Sequence, residues 1–223
     1  MRVLIGCEES QVVCKAFRSL GYEAYSNDIQ PCSGGKPEWH LQKDFFKAFD
    51  ELKPDLTITF QPCTDLAVSG ARHFWYKREN GTQEKSIRFF FEVWKVSNCS
   101  ENPVGIMSGK YIKKWFPVLY AEMVDYGFPF KASQIIQPYQ FGHTERKTTC
   151  LFLNGLPLLS NGENVESEMI KLPYREYAKV HYMPPGKDRA RLRSKTYTGV
   201  ASAMASQWGA YVEQQINSKK IYA

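Results

Sequence analysis

Apolar positions fall in short bursts along the chain, and their spacing alternates between two periods. Arg2-Val3-Leu4-Ile5 is a nearly continuous apolar run, as in a strand covered on both faces. Val12, Val13, Ala16, Phe17 and Leu20 then repeat at helical spacing, with Ser10 as the expected N-cap and Gly21 as the stop. Glu23–Ser26 reads as a second strand. Strand, helix and strand in this order predict an α/β fold with a doubly wound, mostly parallel sheet.

The same reading continues downstream. A loop rich in Pro, Gly and Ser runs from Pro31 to Pro37, a short helix from Phe45 to Leu52, and a third clear strand from Leu56 to Phe60. Gln61 to Asn80 loses all periodicity, and so long a loop inside a compact domain is expected only where it has a function. Helices are predicted over Gln83–Val96 and Trp115–Tyr126, a strand tip over Asn98–Glu101, and paired strands over Lys131–Ile136 and Lys147–Leu153. After Gly155 the pattern is irregular until a final helix from Val200 to Ile216. The predicted organisation is an α/β domain over 1–154, a small basic lobe over 155–197, and a C-terminal helix over 198–223 that completes the domain.

Charge sharpens this division. The 223 residues carry a net charge of +6. Between Lys171 and Lys195 stand eight basic residues against Glu176 and Asp188, so this one segment holds the whole excess. An anionic partner at one surface is therefore expected. The six cysteines form no CxxC pair, which fits neither a zinc ribbon nor a disulfide scaffold. No apolar run approaches the roughly 18 residues of a membrane span, and the first residues turn acidic before any signal-type stretch. A cytoplasmic chain with reduced thiols and no membrane partner is the expectation.

Two short motifs carry candidate chemistry. Cys63 follows a strand and Pro62, at the carboxyl end where ligand sites of open α/β sheets gather, and a thiolate is a strong nucleophile. A buried structural cysteine is the plainer alternative. Glu101-Asn102-Pro103 stands at another strand end, where a carboxyl group held protonated can donate to a base nitrogen; an ordinary turn exit is its alternative. Arg72-His73-Phe74-Trp75-Tyr76-Lys77-Arg78 mixes cations with aromatics just beyond Cys63, a combination suited to stacking on bases; rings packed into the core with the cations outside is the alternative. Arg189, Arg191, Arg193 and Lys195 alternate, so an extended backbone would turn all four to one face for tracking phosphates; a solvated basic loop is the alternative.

Val3–Glu9, Asp28, Asp44, Pro62-Cys63, Glu101-Asn102-Pro103, Arg146-Lys147 and the Gly199–Gly209 helix follow one another in an order that resembles the DNA cytosine-5 methyltransferase family. The resemblance covers the chain to about residue 155 and again from about 196. It is nearest to short phage-type members with a Cys-Glu-Glu-Ser-Gln opening and a Glu-Asn-Pro-Val-Gly-Ile-Met segment. It implies a methyltransferase-type sheet, S-adenosylmethionine as cofactor, cytosine-containing DNA as partner, and no metal. Cys63 would add to C6 of cytosine, Glu101 would bind N3 and the exocyclic amine, and Arg146 would orient both. Gly6, Cys7, Glu8, Asp28, Asp44 and Pro62 would surround the cofactor, with Asp28 on the ribose and Asp44 on the adenine. Asp44 reads equally well as a helix N-cap. Arg72, Lys77, Arg78, Lys147, Arg189, Arg191, Arg193 and Lys195 would contact nucleic acid.

The chain departs from the family in its cofactor turn, where only Gly6 remains of Phe-x-Gly-x-Gly. Thr64 replaces a glutamine, Pro103 replaces a valine, and Arg146-Lys147 reproduces only part of Gln-x-Arg-x-Arg. About 40 residues occupy the place of a full recognition domain. Two other functions fit the same residues. One is an inactive homologue that binds nucleic acid or protein; the other is an enzyme using the same thiol with another donor, or on free pyrimidine nucleotides.

Overall fold

The computed structural model describes residues 1–221. Strands β1 (Arg2–Gly6), β2 (Glu23–Asp28) and β3 (His40–Gln42) alternate with helices α1 (Val12–Ser19) and α2 (Phe45–Leu52). Then come β4 (Leu56–Thr59), α3 (Phe74–Glu79), α4 (Thr82–Val96), β5 (Cys99–Pro103), α5 (Gly109–Trp115) and α6 (Pro117–Asp125). β6 (Gln134–Ile136) and β7 (Thr149–Leu153) end the sheet. The order is β3-β2-β1-β4-β5-β7-β6, with β7 antiparallel to both its neighbours. The result is an α/β fold with a seven-stranded, mostly parallel sheet flanked by helices, compatible with a Rossmann-like fold. Among the described residues no helix is long and apolar enough to cross a membrane.

Alternation along the central strands sorts side chains to two faces. Val3 and Ile5 join Leu56, Ile58, Phe17 and Trp208 in one core cluster, whereas Leu4 packs with Phe45 and Val93 on the other face. A second large cluster on that other side gathers Phe90, Phe91, Trp94, Phe128 and Phe152. These side chains lose water contact on both faces, which explains the unbroken apolar run of β1; in β4 the alternate positions are the buried Thr57 and Thr59.

The chain runs outward from β1 to β3 and then returns to β4, so strand order reverses between β1 and β4. Ligands of such sheets bind at the carboxyl ends of the two strands beside that reversal. Here those ends release Gly6–Ser10 and the segment from Phe60 through Cys63.

Several local expectations are corrected. Ser10 does not cap α1: Gln11 precedes the helix in a left-handed conformation, and the Glu8 carboxylate accepts from Val13 N at 2.7 Å and Cys14 N at 3.2 Å. Gln61–Asn80 is not one loop, because it contains a 3₁₀ segment, Val68–His73, and helix α3. The helix expected over Trp115–Tyr126 is α6, which Pro117 starts at a position where its missing N–H costs nothing, and the separate helix α5 precedes it. The basic lobe contains four short helices: α7 (Glu166–Met169), α8 (Tyr174–Tyr177), α9 (Lys179–Tyr182) and α10 (Arg189–Ser194). The terminal helix is α11 (Thr198–Ala203), a π segment over Met204–Trp208, and α12 (Gly209–Ile221).

Candidate functional site

Cys63 is fixed by a tight turn, its carbonyl accepting from Leu66 N at 3.0 Å and Ala67 N at 2.9 Å. The turn is then sewn to the segment leaving β5. Val68 N donates to Val104 O at 3.1 Å, and Ile106 N to Leu66 O at 2.9 Å. So close an approach requires Gly105: a Cβ there would overlap the Leu66 carbonyl oxygen and lie 3.0 Å from its carbon. Gln61 adds a tie from its Nε2 to Ser100 Oγ at 2.8 Å. Glu101, in β5 beside β4, is thereby held in register with Cys63.

These groups feel one another. Burial pushes the Cys63 thiol up, the Glu101 charge adds to that, and the Lys147 and Arg193 cations oppose it. Burial likewise raises the Glu101 carboxyl, against the Lys147 ammonium. A negative charge on Glu101 disfavours one on Cys63 and burial disfavours both, so the site tends to hold no more than a single negative charge. Glu101 and Lys147 share a small, partly open cavity of about 20 Å³ with Phe60, Thr149, Tyr197 and Met204, room for about one water.

The lobe is latched over this cavity. Tyr197 donates its hydroxyl to Glu145 at 2.5 Å, and Lys179 pairs with the same carboxylate at 2.6 Å. Lys147 Nζ donates to the carbonyls of Ser194 at 3.5 Å and Lys195 at 3.2 Å. Lys147, assigned from sequence to nucleic acid, is thus the cation of the cavity. Arg146, expected to orient Glu101, lies by Tyr139 instead, its backbone bonded to Tyr177 O at 2.8 Å. Of this pair, it is Lys147 whose charge acts on Glu101.

The extended phosphate-tracking stripe is also corrected, because Arg189–Ser194 is helical. Arg189 and Arg193 lie four residues apart on one face, and Arg191 points away. Arg189 Nε donates to Met183 O at 2.8 Å, and Arg191 pairs with Asp188 at 3.1 Å. Arg193 Nε is buried without a hydrogen-bond partner, and burial lowers the guanidinium's proton affinity. Lys195 meets Lys147 through its carbonyl.

At the β1 end, Cys7 stands at φ 56°, a conformation glycine adopts freely and other residues at a cost of about 1–2 kcal/mol. Its thiol is pushed up to about 12 by burial, then by the charges of Asp28 and Asp44, so these three residues converge. Asp44 is the N-cap of α2, accepting from Phe46 N and Lys47 N at 3.0 and 3.2 Å. Asp28 accepts from Gln30 N at 2.8 Å through one oxygen. Gly6 packs under the ring of Phe45: a Cβ would stand 2.5 Å from Phe45 Cε2. Glu8 is buried, and its carboxyl is pushed up to about 7 by desolvation, against the backbone N–H groups of α1.

Three buried acceptors at these strand ends have no partner: Glu9 Oε2, Gln61 Oε1 and Asn102 Oδ1. Glu8 already fills the helix N-terminus where a Rossmann sheet normally seats a phosphate. The turn therefore suits a ligand rich in donors and lacking a phosphate there. The amine, hydroxyls and positive charge of S-adenosylmethionine fit that requirement.

Beyond Cys63, Lys77 is taken up inside the protein, bonded to Thr64 O at 2.8 Å and paired with Asp65 at 2.7 Å. Arg72 is exposed and donates to His73 at 2.8 Å, and Arg78 stacks on Trp115 at 4.0 Å. Pro62 is exposed beside Cys63. Sequence reasoning missed Gly105 and the Tyr197–Glu145 latch, and it placed Arg193 among the nucleic-acid contacts without its effect on Cys63. Only Gly105 left a signal, as a glycine two positions past a strand-ending proline. Compared with known proteins, the chain matches no family model and no curated protein, so the geometry itself carries the functional reading.

Proposed function

We propose that the chain is a methyltransferase acting on C5 of cytosine in DNA, with S-adenosylmethionine as donor and a sheet of the methyltransferase type. The observation that carries this reading is the approach of Cys63, in the turn after β4, to Glu101 of the neighbouring β5, whose charge adds to the burial that raises the thiol, with Lys147 opposing the shift of both groups. A cytosine ring needs a nucleophile at C6 and a proton donor at N3. Protonating Glu101 supplies the donor and removes the charge that adds to burial in holding Cys63 neutral, leaving Lys147 and Arg193 to favour the thiolate. The sulfur then bonds to C6, and the ring's electron pair becomes available at C5. S-adenosylmethionine, when bound, supplies the electrophilic methyl group that C5 takes up. Loss of the C5 proton with cleavage of the Cys63–C6 bond restores the thiol site. Asp28 and Asp44 would hold the cofactor's hydroxyls and amine, and Glu9 Oε2 and Gln61 Oε1 would accept its remaining donors.

DNA containing 5-fluorocytosine tests the reading, because fluorine cannot leave as a proton does and the adduct persists. With S-adenosylmethionine present, the wild-type chain should become covalently attached to the DNA, and Cys63→Ala should not. Attachment by Cys63→Ala, or none by the wild type, overturns the assignment.

A further inference from the structure

Helix α3 divides its aromatic residues. Phe74 is buried and meets Tyr111 of α5 at 6.1 Å, while Trp75 and Tyr76 are 58% and 56% exposed, their rings 5.9 Å apart. On α5, Trp115 is 42% exposed and carries two cations. The Arg78 guanidinium lies 4.0 Å from its ring centroid, fixed by a 3.0 Å bond to Tyr111 Oη, and Lys114 Nζ lies 4.7 Å away. Trp75 and Arg78 are three residues apart on one helix, so Tyr76, Trp75, Arg78 and Trp115 form a continuous row.

The charge around this row is one-sided. Residues 68–79 and 109–115 contain six lysines and arginines against Glu79; Lys77 is paired with Asp65, which leaves Arg72, Arg78, Lys110, Lys113 and Lys114. Acidic residues elsewhere cancel this excess in the chain total, which is why sequence arithmetic located all the net charge in the lobe. Lys77, bonded to Thr64 O, ties α3 to the residue after Cys63, so the row begins beside the candidate site.

We propose that the α3–α5 surface is a second nucleic-acid-binding face, which holds an unpaired DNA strand by stacking its bases on Trp75 and on the Arg78–Trp115 platform. It rests on the nucleic-acid part of the reading above and not on methyl transfer. Exposed rings interleaved with cations match the alternating bases and phosphates of a single strand. A duplex keeps its base faces covered and offers the rings nothing to stack on. A strand whose target base enters at Cys63 leaves across this surface.

The test is the affinity of the full chain for a fluorescent oligothymidylate of about twelve nucleotides, without methyl donor. This ligand contains no cytosine, so Cys63 chemistry does not contribute. Replacing Trp75 and Trp115 together by leucine keeps apolar bulk and removes the π-faces. That variant should lose at least about tenfold in affinity for the single strand, with an unchanged circular dichroism melting curve. Its affinity for a duplex of equal length should change less than about threefold. Unchanged single-strand affinity, an equal loss for duplex, or no oligothymidylate binding by the wild type would each overturn the proposal. None of these outcomes alters covalent trapping at 5-fluorocytosine, which tests the methyltransferase reading separately.

Discussion

Gly105→Ala probes the joint between the two strand ends that carry Cys63 and Glu101. The added methyl would overlap Leu66 O and lie 3.0 Å from Leu66 C and 3.2 Å from Asn102 Nδ2. Carbon–oxygen contacts settle at about 3.3–3.6 Å, so the two segments must part by about 1 Å. Parting them breaks the bonds from Val68 N to Val104 O and from Ile106 N to Leu66 O. At about 0.5–1.5 kcal/mol net each, the pair predicts a loss of about 1–3 kcal/mol, the range usual for overpacking. Urea unfolding measures that loss. Iodoacetamide labelling mapped to the Cys63 peptide should speed up as its turn opens, and a 1 Å misplacement predicts a loss of about 10²-fold in adduct formation. Gly186→Ala serves as the control, because a Cβ there meets nothing within 4 Å. A loss under about 0.5 kcal/mol together with unchanged Cys63 labelling would show that the joint is not what holds the site.

Two further predictions concern single charges. Folding raises the Glu8 carboxyl from 4.5 to about 7, so the fold favours its protonated form. That contribution is fullest below pH 4.5 and is lost as pH rises through 7, by up to about 3 kcal/mol. Urea midpoints at pH 5 and pH 8 should therefore differ less in Glu8→Gln than in the wild type; an equal difference in both sinks the assignment. Arg193→Ala removes a cation that holds the Cys63 thiol down, so its pH profile of alkylation should move to higher pH. Arg191→Ala, whose guanidinium is paired with Asp188, should leave that profile in place, and equal shifts in both variants would refute the helical placement of the arginines.

The sheet was legible because its strands are covered on both faces: Val3–Ile5 is a continuous apolar run, and Leu56–Phe60 alternates apolar residues with Thr57 and Thr59, which are buried as well. Cys63 and Glu101 were legible because each stands in a short motif at a strand end, where topology gathers side chains. What escaped was set by contacts between distant segments. Ser10 carried the usual local signal for a cap, but the left-handed Gln11 brings the Glu8 carboxylate onto the helix end instead. The alternating arginines suggested an extended chain because charges on an exposed segment have no core to fix their period. Arg, Ala and Leu are strong helix formers, and the Asp188–Arg191 pair at i,i+3 adds to that preference. Lys147 and Arg146 were indistinguishable in sequence, since which of two neighbours faces Glu101 depends on how β7 enters the sheet.

Charge is sorted along the strand ends, and this sorting ties the cofactor turn to the candidate cavity. Asp28 and Asp44 converge on Cys7 at the β1–β2 end, with Glu8 filling the phosphate seat of α1. Lys147 and Arg193 oppose the negative charge of Cys63 at the β4–β5 end. A phosphate-bearing cofactor would meet carboxylates at the first end, whereas a cationic nucleoside is attracted there. A polyanionic strand is attracted to the second end and repelled from the first. On the proposed reading the methyl donor is a cation and its acceptor a polyanion, so the two approach Cys63 from opposite sides without competing for one seat. The buried, unpartnered Arg193 Nε fits this division, because the lobe leaves one cation unpaired where an anion arrives. On the same reading, the bonds of Tyr197 and Lys179 to Glu145 hold the lobe against the small cavity beside Glu101, so a strand that brings a base to Glu101 would have to move the lobe as well.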